Sequence, residues 1–320
     1  FSNWLRYSFI TGSLGRFSLD KLGDREFFSD SITDRDNKFS NNFSAKRAEA
    51  DLPFNFTFGI FESCVWQKRF EIGYLNPFGI LMFQQNVLGD LDNMLAGVDL
   101  QWRLPGVLRL HGTWATTEMN EISLSRFIKA PRNIMGMQGG IDVHLPKGNF
   151  SIISFQYTRL HPFFYSHDEH TNENKKLDPS YHGHKSGLET AYVNKGENLG
   201  YPLHPNSDEF LLRGVIGITE GLDTTLTLRY QRRSGQYGYY IDDPMSYGAQ
   251  SQYDDKAFSE NIFEQTVSCK FELTKQFYHF PIRLFGGYHY FVKWDRGDPI
   301  IVEGDVNHTW GSQWFGPSHN

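Results

Sequence analysis

Residues 223–231 alternate between two phases. Thr224, Leu226, Leu228 and Tyr230 fall in one, and Asp223, Thr225, Thr227, Arg229 and Gln231 in the other. Successive side chains of a strand leave on opposite faces, so this segment predicts a strand with one apolar and one polar side. The same period runs through 151–158, where Ile153, Phe155 and Tyr157 oppose Ser154, Gln156 and Thr158. It recurs at 135–144 and 263–271, and near 2–10, 42–50, 54–63, 93–102, 106–115, 208–219 and 280–293. A helix would group apolar residues three and four apart, and these windows do not. With a further strand near 300–310 and another near 78–88, the pattern extends beyond about 12 clear strands.

The connections alternate as well. Arg103-Leu104-Pro105-Gly106, Pro146-Lys147-Gly148-Asn149 and Glu220-Gly221-Leu222-Asp223 are short and turn-like. The stretches 23–41, 64–92, 116–133, 160–207 and 234–259 are long and polar. Antiparallel neighbours joined this way put every short turn at one end and every long loop at the other. That is the layout of outer-membrane barrels, with short periplasmic turns and long external loops. Most segments also reach the roughly 9–11 residues a spanning strand needs. The fold expected is all-β: a transmembrane antiparallel β-barrel of about 14–18 strands. A soluble β-sandwich or propeller would alternate too. A propeller should repeat a blade motif about every 40 residues, and none is found.

Composition narrows this further. Hydrophobic residues make up 39% and aromatics 16%, with 30 Gly, 28 Phe and 16 Tyr. A disordered chain would lack the aromatics. A helical membrane protein would need apolar runs of about 20 residues, and the sequence has none. The net charge of -6 leaves no basic footprint for nucleic acid. The chain opens on Phe1, so a signal peptide is expected to have been removed, or the chain is a fragment. One barrel domain over 1–320 is expected, with truncation at one or both ends allowed for.

Two regions resemble a known family. The first is Tyr74-Leu75-Asn76-Pro77-Phe78, followed by Gly89-Asp90-Leu91-Asp92-Asn93 and Leu95-Ala96-Gly97-Val98-Asp99. The second is Tyr157-Thr158-Arg159-Leu160-His161-Pro162-Phe163-Phe164-Tyr165-Ser166-His167, completed by Asn198-Leu199-Gly200-Tyr201-Pro202-Leu203-His204-Pro205-Asn206-Ser207-Asp208-Glu209. Together they resemble the capsule assembly protein Wzi family over roughly 54–232. The resemblance implies a non-enzymatic outer-membrane barrel that acts as a lectin for capsular polysaccharide. The chain departs from the family in opening on a strand-like segment without preceding helices, and in ending on Gly316-Pro317-Ser318-His319-Asn320 rather than an aromatic residue. Residues 168–197 carry no family pattern.

Sugar recognition needs aromatic faces for stacking and planar polar groups that pair with adjacent hydroxyls. The base of the longest loop supplies both, in Tyr157, Arg159, His161, Tyr165, Ser166 and His167, and in Tyr201, Asn206, Asp208 and Glu209, with His204 beside them. The alternative is that these residues pack the loop into the barrel mouth and bind nothing. His161, His167, His170, His182, His184 and His204 match no zinc-ligand spacing, so no metal or other cofactor is expected. Asp208-Glu209 and Asp168-Glu169 are adjacent pairs, which in a strand face opposite ways, and no Gly-x-Ser-x-Gly motif appears. Asp242-Asp243 and Asp254-Asp255 read as solvated loop charges rather than a calcium site. Cys64 and Cys269 are expected to be unpaired. The Asn-x-Ser/Thr triplets at 42, 55, 149 and 307 carry no meaning in a bacterial barrel. Arg103, Arg109, Arg213, Arg229, Arg232 and Arg283 phase inward, with Asp99, Asp142, Asp223, Glu264 and Glu272. Mixed signs suggest internal pairing rather than an ion-selective pore.

Three functions share this architecture. One is a lectin for surface polysaccharide, the second a passive porin, the third a structural barrel within a larger envelope assembly. The partners expected are surface polysaccharide, outer-membrane lipid and other envelope proteins, with no nucleic acid.

Overall fold

The computed structural model describes residues 4–15, 17–18, 38–39, 41–66, 70–88, 92–119, 123, 125–130, 133–146, 151–165, 190, 192–194, 197–234, 262–277, 282–295 and 307–315. Twelve strands form one antiparallel sheet in chain order. They are β1 (Leu5–Ser13), β2 (Asn42–Leu52), β3 (Phe56–Trp66), β4 (Asn93–Leu104), β5 (Leu108–Glu118), β6 (Ile134–His144), β7 (Ser151–Leu160), β8 (Ser207–Thr219), β9 (Leu222–Ser234), β10 (Ile262–Phe277), β11 (Ile282–Asp295) and β12 (Asn307–Phe315). Each pairs only with its neighbours in sequence, and β1 and β12 are the two edges among the described residues. Of the segment expected near 300–310, residues 307–310 open β12 and 300–306 lie outside the described residues. The other extra strand expected, near 78–88, is instead helical: α2 (Leu81–Leu88) occupies it, with the short α1 (Ile72–Leu75) just before.

The connections alternate in length as the sequence implies, so all long loops leave one end of the sheet. Gly106 and Gly221 take positive φ at two of the short turns, where an L side chain would be strained. Among the described residues no helix is long and apolar enough to cross a membrane. The chain is all-β, and its twelve-stranded antiparallel sheet has the up-and-down strand order of a β-barrel wall.

Register makes the two faces continuous. Phe155, Leu212, Leu228, Cys269 and Tyr290 are successive partners across five strands, all on the outward face. Phe155, Leu212 and Tyr290 are exposed there, as are Ile60, Val98 and Leu100. Such a surface suits hydrocarbon. An inward row three residues nearer the loop end is polar: Asp99, Thr113, Gln138, Thr158, Glu209, Gln231, Thr266 and Lys293. Inward charges pair with each other, Arg47 with Asp99 at 2.8 Å, Arg109 with Asp142 at 2.6 Å and Lys293 with Glu264 at 2.7 Å.

The apolar core lies inside the loop end of the sheet. After β7 the chain turns inward and sets Phe163, Phe164 and Tyr165 against Val65, Leu95, Ala115, Ile134 and Leu160. Tyr192, Val193 and Leu203 from the far part of the same connection complete the cluster. The β7–β8 connection therefore plugs this part of the barrel. Cys64 and Cys269 are free thiols.

Candidate functional site

The base of the plug is a hydrogen-bonded clamp. Asn206 has φ 53°, a left-handed conformation that Asn tolerates. Its N–H donates to the His161 carbonyl at 3.0 Å, its carbonyl accepts from the Ser234 N–H at 3.0 Å, and its Nδ2 donates to the Ser234 carbonyl at 3.2 Å. Asn206 thus ties the ends of β7, β8 and β9 together. His161, fully buried, donates its N–H to the Met135 carbonyl at 3.0 Å and lies with Nδ1 3.1 Å from the Asn133 carbonyl.

The plug itself hangs on two tyrosines. Tyr165 accepts at its hydroxyl from the Tyr201 N–H at 2.9 Å, and its carbonyl accepts from Asn93 Nδ2 at 2.8 Å. The Tyr192 hydroxyl lies 3.0 Å from Ser63 Oγ and donates to the Asn93 carbonyl at 3.3 Å. Phe163 and Tyr165 take φ of 62° and 80°, unusual for aromatic residues. A Cβ on Gly136 would stand 2.6 Å from Phe164, and one on Gly200 would meet the Tyr165 ring at 2.9 Å. Glycine at these two positions lets the plug lie against wall and loop. Burial pushes the Tyr165 phenol up to about 12.

Below the plug runs a polar network on the inward face. Glu209, 1% exposed, accepts from the Tyr201 hydroxyl and from Gln231 Nε2 at 2.7 Å, and pairs with Arg229 Nε at 3.0 Å. Gln156 donates to the Tyr201 hydroxyl at 2.9 Å, and Gln138 to Thr158 Oγ1 at 3.1 Å. Burial and the Glu209 carboxylate push the Tyr201 phenol up to about 12, so it remains a donor at neutral pH. Beside this network lies a cavity of about 710 Å³. Phe61, Phe164, Tyr192 and Tyr201 give it aromatic walls, and Arg47, Gln138 and Thr158 give it planar and hydroxyl polar groups.

The sequence-derived set therefore separates into three places. Tyr201 and Glu209 face the lumen. His161, Tyr165 and Asn206 are buried in the plug and its base. Tyr157, Arg159 and Asp208 share the phase of Phe155 and Phe210 and lie on the outward face at the loop end. There Tyr157 donates to Asp208 Oδ2 at 3.1 Å, Arg232 Nε donates to Asp208 Oδ1 at 2.8 Å, and Arg159 Nη2 lies 3.5 Å from Asn206 Oδ1. Arg232 is thus a correction: its phase is outward, with Tyr230, not inward. Ser166 and His167 lie outside the described residues, as do His170, His182, His184 and the acids at 168, 169, 242, 243, 254 and 255.

No family model matches the chain, and no curated protein matches it. A structural superposition pairs it with Wzi of Escherichia coli, described as an outer membrane protein involved in group 1 capsule assembly and a carbohydrate binding beta-barrel. The TM-score is 0.48 at 13% identity, over 86% of this chain and 54% of that one. The chain spans about half the length of that structure.

Several residues of the site were not singled out from sequence. Gln138, Gln156 and Gln231 sit in the polar phases of their strands, so their inward direction was readable, but their convergence depends on register. Tyr192 lies in a stretch with no pattern, and nothing local marks it. Asp208 and Glu209 open on opposite faces, as adjacent strand residues must. Among the described residues no group of three or more His, Cys, Asp or Glu could hold a metal.

Proposed function

We propose that this barrel holds surface polysaccharide at the outer membrane, non-covalently and without a chemical step, and that sugar units contact the aromatic cavity beside Tyr201. The observation that carries the reading is that cavity. Its volume of about 710 Å³ falls within the range of small-molecule sites. Its walls combine the two things sugar rings need: aromatic faces, and amide, guanidinium and hydroxyl groups that pair with ring hydroxyls. The plug supports a holding role rather than conduction, because the described part of the β7–β8 connection sets Phe163, Phe164, Tyr165, Tyr192 and Leu203 into the loop end. The two conspicuous carboxylates, Asp208 and Glu209, diverge, which supports a role without acid–base chemistry. A polymer engaging many copies gains avidity from weak individual contacts.

The test is calorimetric titration of the protein in detergent with surface polysaccharide purified from its own source cells. Wild type should bind. Gln138→Met, which keeps length and removes the amide, should weaken binding about fivefold, the worth of one hydrogen bond. Unchanged affinity would move the contact away from the cavity. Absence of binding by wild type would end the polysaccharide reading.

A further inference from the structure

Residues 70–88 form a helical hairpin that lies on the outside of the barrel wall. Its inner side packs on β2, β3 and β4: Tyr74 and Leu81 are fully buried against Cys64, Trp66 and Met94. Ser44 Oγ donates to the Tyr74 carbonyl at 2.8 Å, and the Tyr74 hydroxyl donates to Asp92 Oδ2 at 2.7 Å. The hairpin also covers an ion pair on the outward face. Lys46 and Glu62 are direct partners across β2 and β3, 3.8 Å apart. Lys46 donates to the Gly79 carbonyl, and Glu62 accepts from the Leu81 N–H at 3.0 Å at the start of α2.

The outer side of the hairpin is the reverse of a water-facing surface. Its nineteen residues include one charge, Glu71, and that carboxylate is held by Gln84 Nε2 at 3.1 Å. Phe70, Phe78 and Val87 are 81%, 80% and 80% exposed, and Phe83 is 60% exposed, whereas Gln85 is 6% exposed and donates inward to the Asp92 carbonyl. A surface helix in water turns its polar side out and its apolar side in; α2 buries Leu81 and Gln85 and leaves Met82, Phe83 and Val87 exposed beside Asn86.

Height along the wall places the hairpin. The ring pair Phe56–Trp102 marks the short-turn end of the outward face. From Phe56 to Glu62 is about 20 Å along the strand, or about 15 Å of height at the usual barrel tilt. The apolar band of such barrels is about 25 Å tall. The Lys46–Glu62 pair therefore sits within that band, on the face that should meet hydrocarbon. The exposed surface of the hairpin continues the band formed by Ile60 and Val98.

We infer that the 70–88 hairpin is a lipid-embedded element of the barrel wall. It lies among the acyl chains of the outer leaflet, shields the Lys46–Glu62 pair and presents Phe70, Phe78, Phe83 and Val87 to lipid.

Spin labels test this on the full chain in phospholipid bilayers, in a Cys269→Ser background where Cys64 is fully buried and unreactive. Labels are placed through Phe83→Cys and Val87→Cys, with Val98→Cys as the lipid-facing reference and Thr113→Cys as the inward reference. Far-UV circular dichroism confirms that each labelled chain is folded. The expected result is a ratio of oxygen to nickel-chelate accessibility at 83 and 87 equal to that at 98 and above that at 113. A nickel-accessible label at 83 and 87 would place the hairpin in water. A label shielded from both reagents would place it against protein, as in a second copy. Either result would overturn the inference.

Discussion

Replacing Glu209 with alanine tests whether the plug is anchored from below. The carboxylate is buried, and its loss leaves the Tyr201 proton and one Gln231 amide hydrogen without acceptors. Each orphaned buried donor costs about 1–3 kcal/mol. Arg229 is 39% exposed in its side chain, so water replaces its partner and its share is about 0–1 kcal/mol. Allowing for water entering from the cavity, the loss comes to about 3 kcal/mol. Glu209→Gln keeps the shape and one acceptor oxygen, and Gln231 can turn its amide to meet the new donor. That change should cost about 1 kcal/mol, the charge assistance alone. The assay is reversible urea unfolding in lipid, followed by tryptophan fluorescence. Glu209→Ala within about 0.5 kcal/mol of wild type would refute the anchoring argument, as would a Gln variant less stable than the Ala variant.

Three further outcomes follow from the same region. Asn206→Ala should be about 1 kcal/mol less stable than Asn206→Gly in urea unfolding, because both lose the side-chain bonds but only alanine resists positive φ; equal stabilities would contradict the backbone reading. Gly136→Ala should destabilise by about 1–3 kcal/mol through collision with Phe164, and Phe164→Leu should recover part of the loss, whereas strict additivity in the double variant would show no contact. With the Tyr165 and Tyr201 phenols raised to about 12 from the usual value near 10, the fold favours their protonated forms. Their contribution is complete below pH 10 and is lost as pH rises through about 12. The urea midpoint should fall between pH 9 and pH 11.5, and fall less in the Tyr165→Phe, Tyr201→Phe variant; identical pH profiles would argue against it.

Much of the wall was legible because a barrel strand writes its two environments directly into period two. Eleven strands of the twelve-stranded sheet coincide with alternating segments, β12 overlaps the strand expected near 300–310 only at 307–310, and the polar phase of 223–231 is the lumen face. The hairpin at 70–88 was hidden by the same physics. Its helices bury Tyr74, Leu81 and Gln85 and expose Ile72, Met82, Phe83 and Val87, so apolar residues fall on both sides, no amphipathic stripe forms, and Leu81–Leu88 looks like part of a strand. The plug was legible only as a concentration of aromatic and polar residues around one long loop. Whether Tyr165 and Asn206 meet a sugar or meet Asn93 and Ser234 depends on contacts across more than one strand, which no local pattern records. The outward phase of Arg159 and Asp208 was readable from Tyr157 and Phe210, their neighbours two residues away.

The most direct test of the central claim is made on intact cells with and without the gene, separating cells from medium and quantifying surface polysaccharide in each. A tether predicts that loss of the gene moves polymer from cells to medium while the total stays constant, and that restoring the gene returns it. An unchanged distribution would contradict the claim.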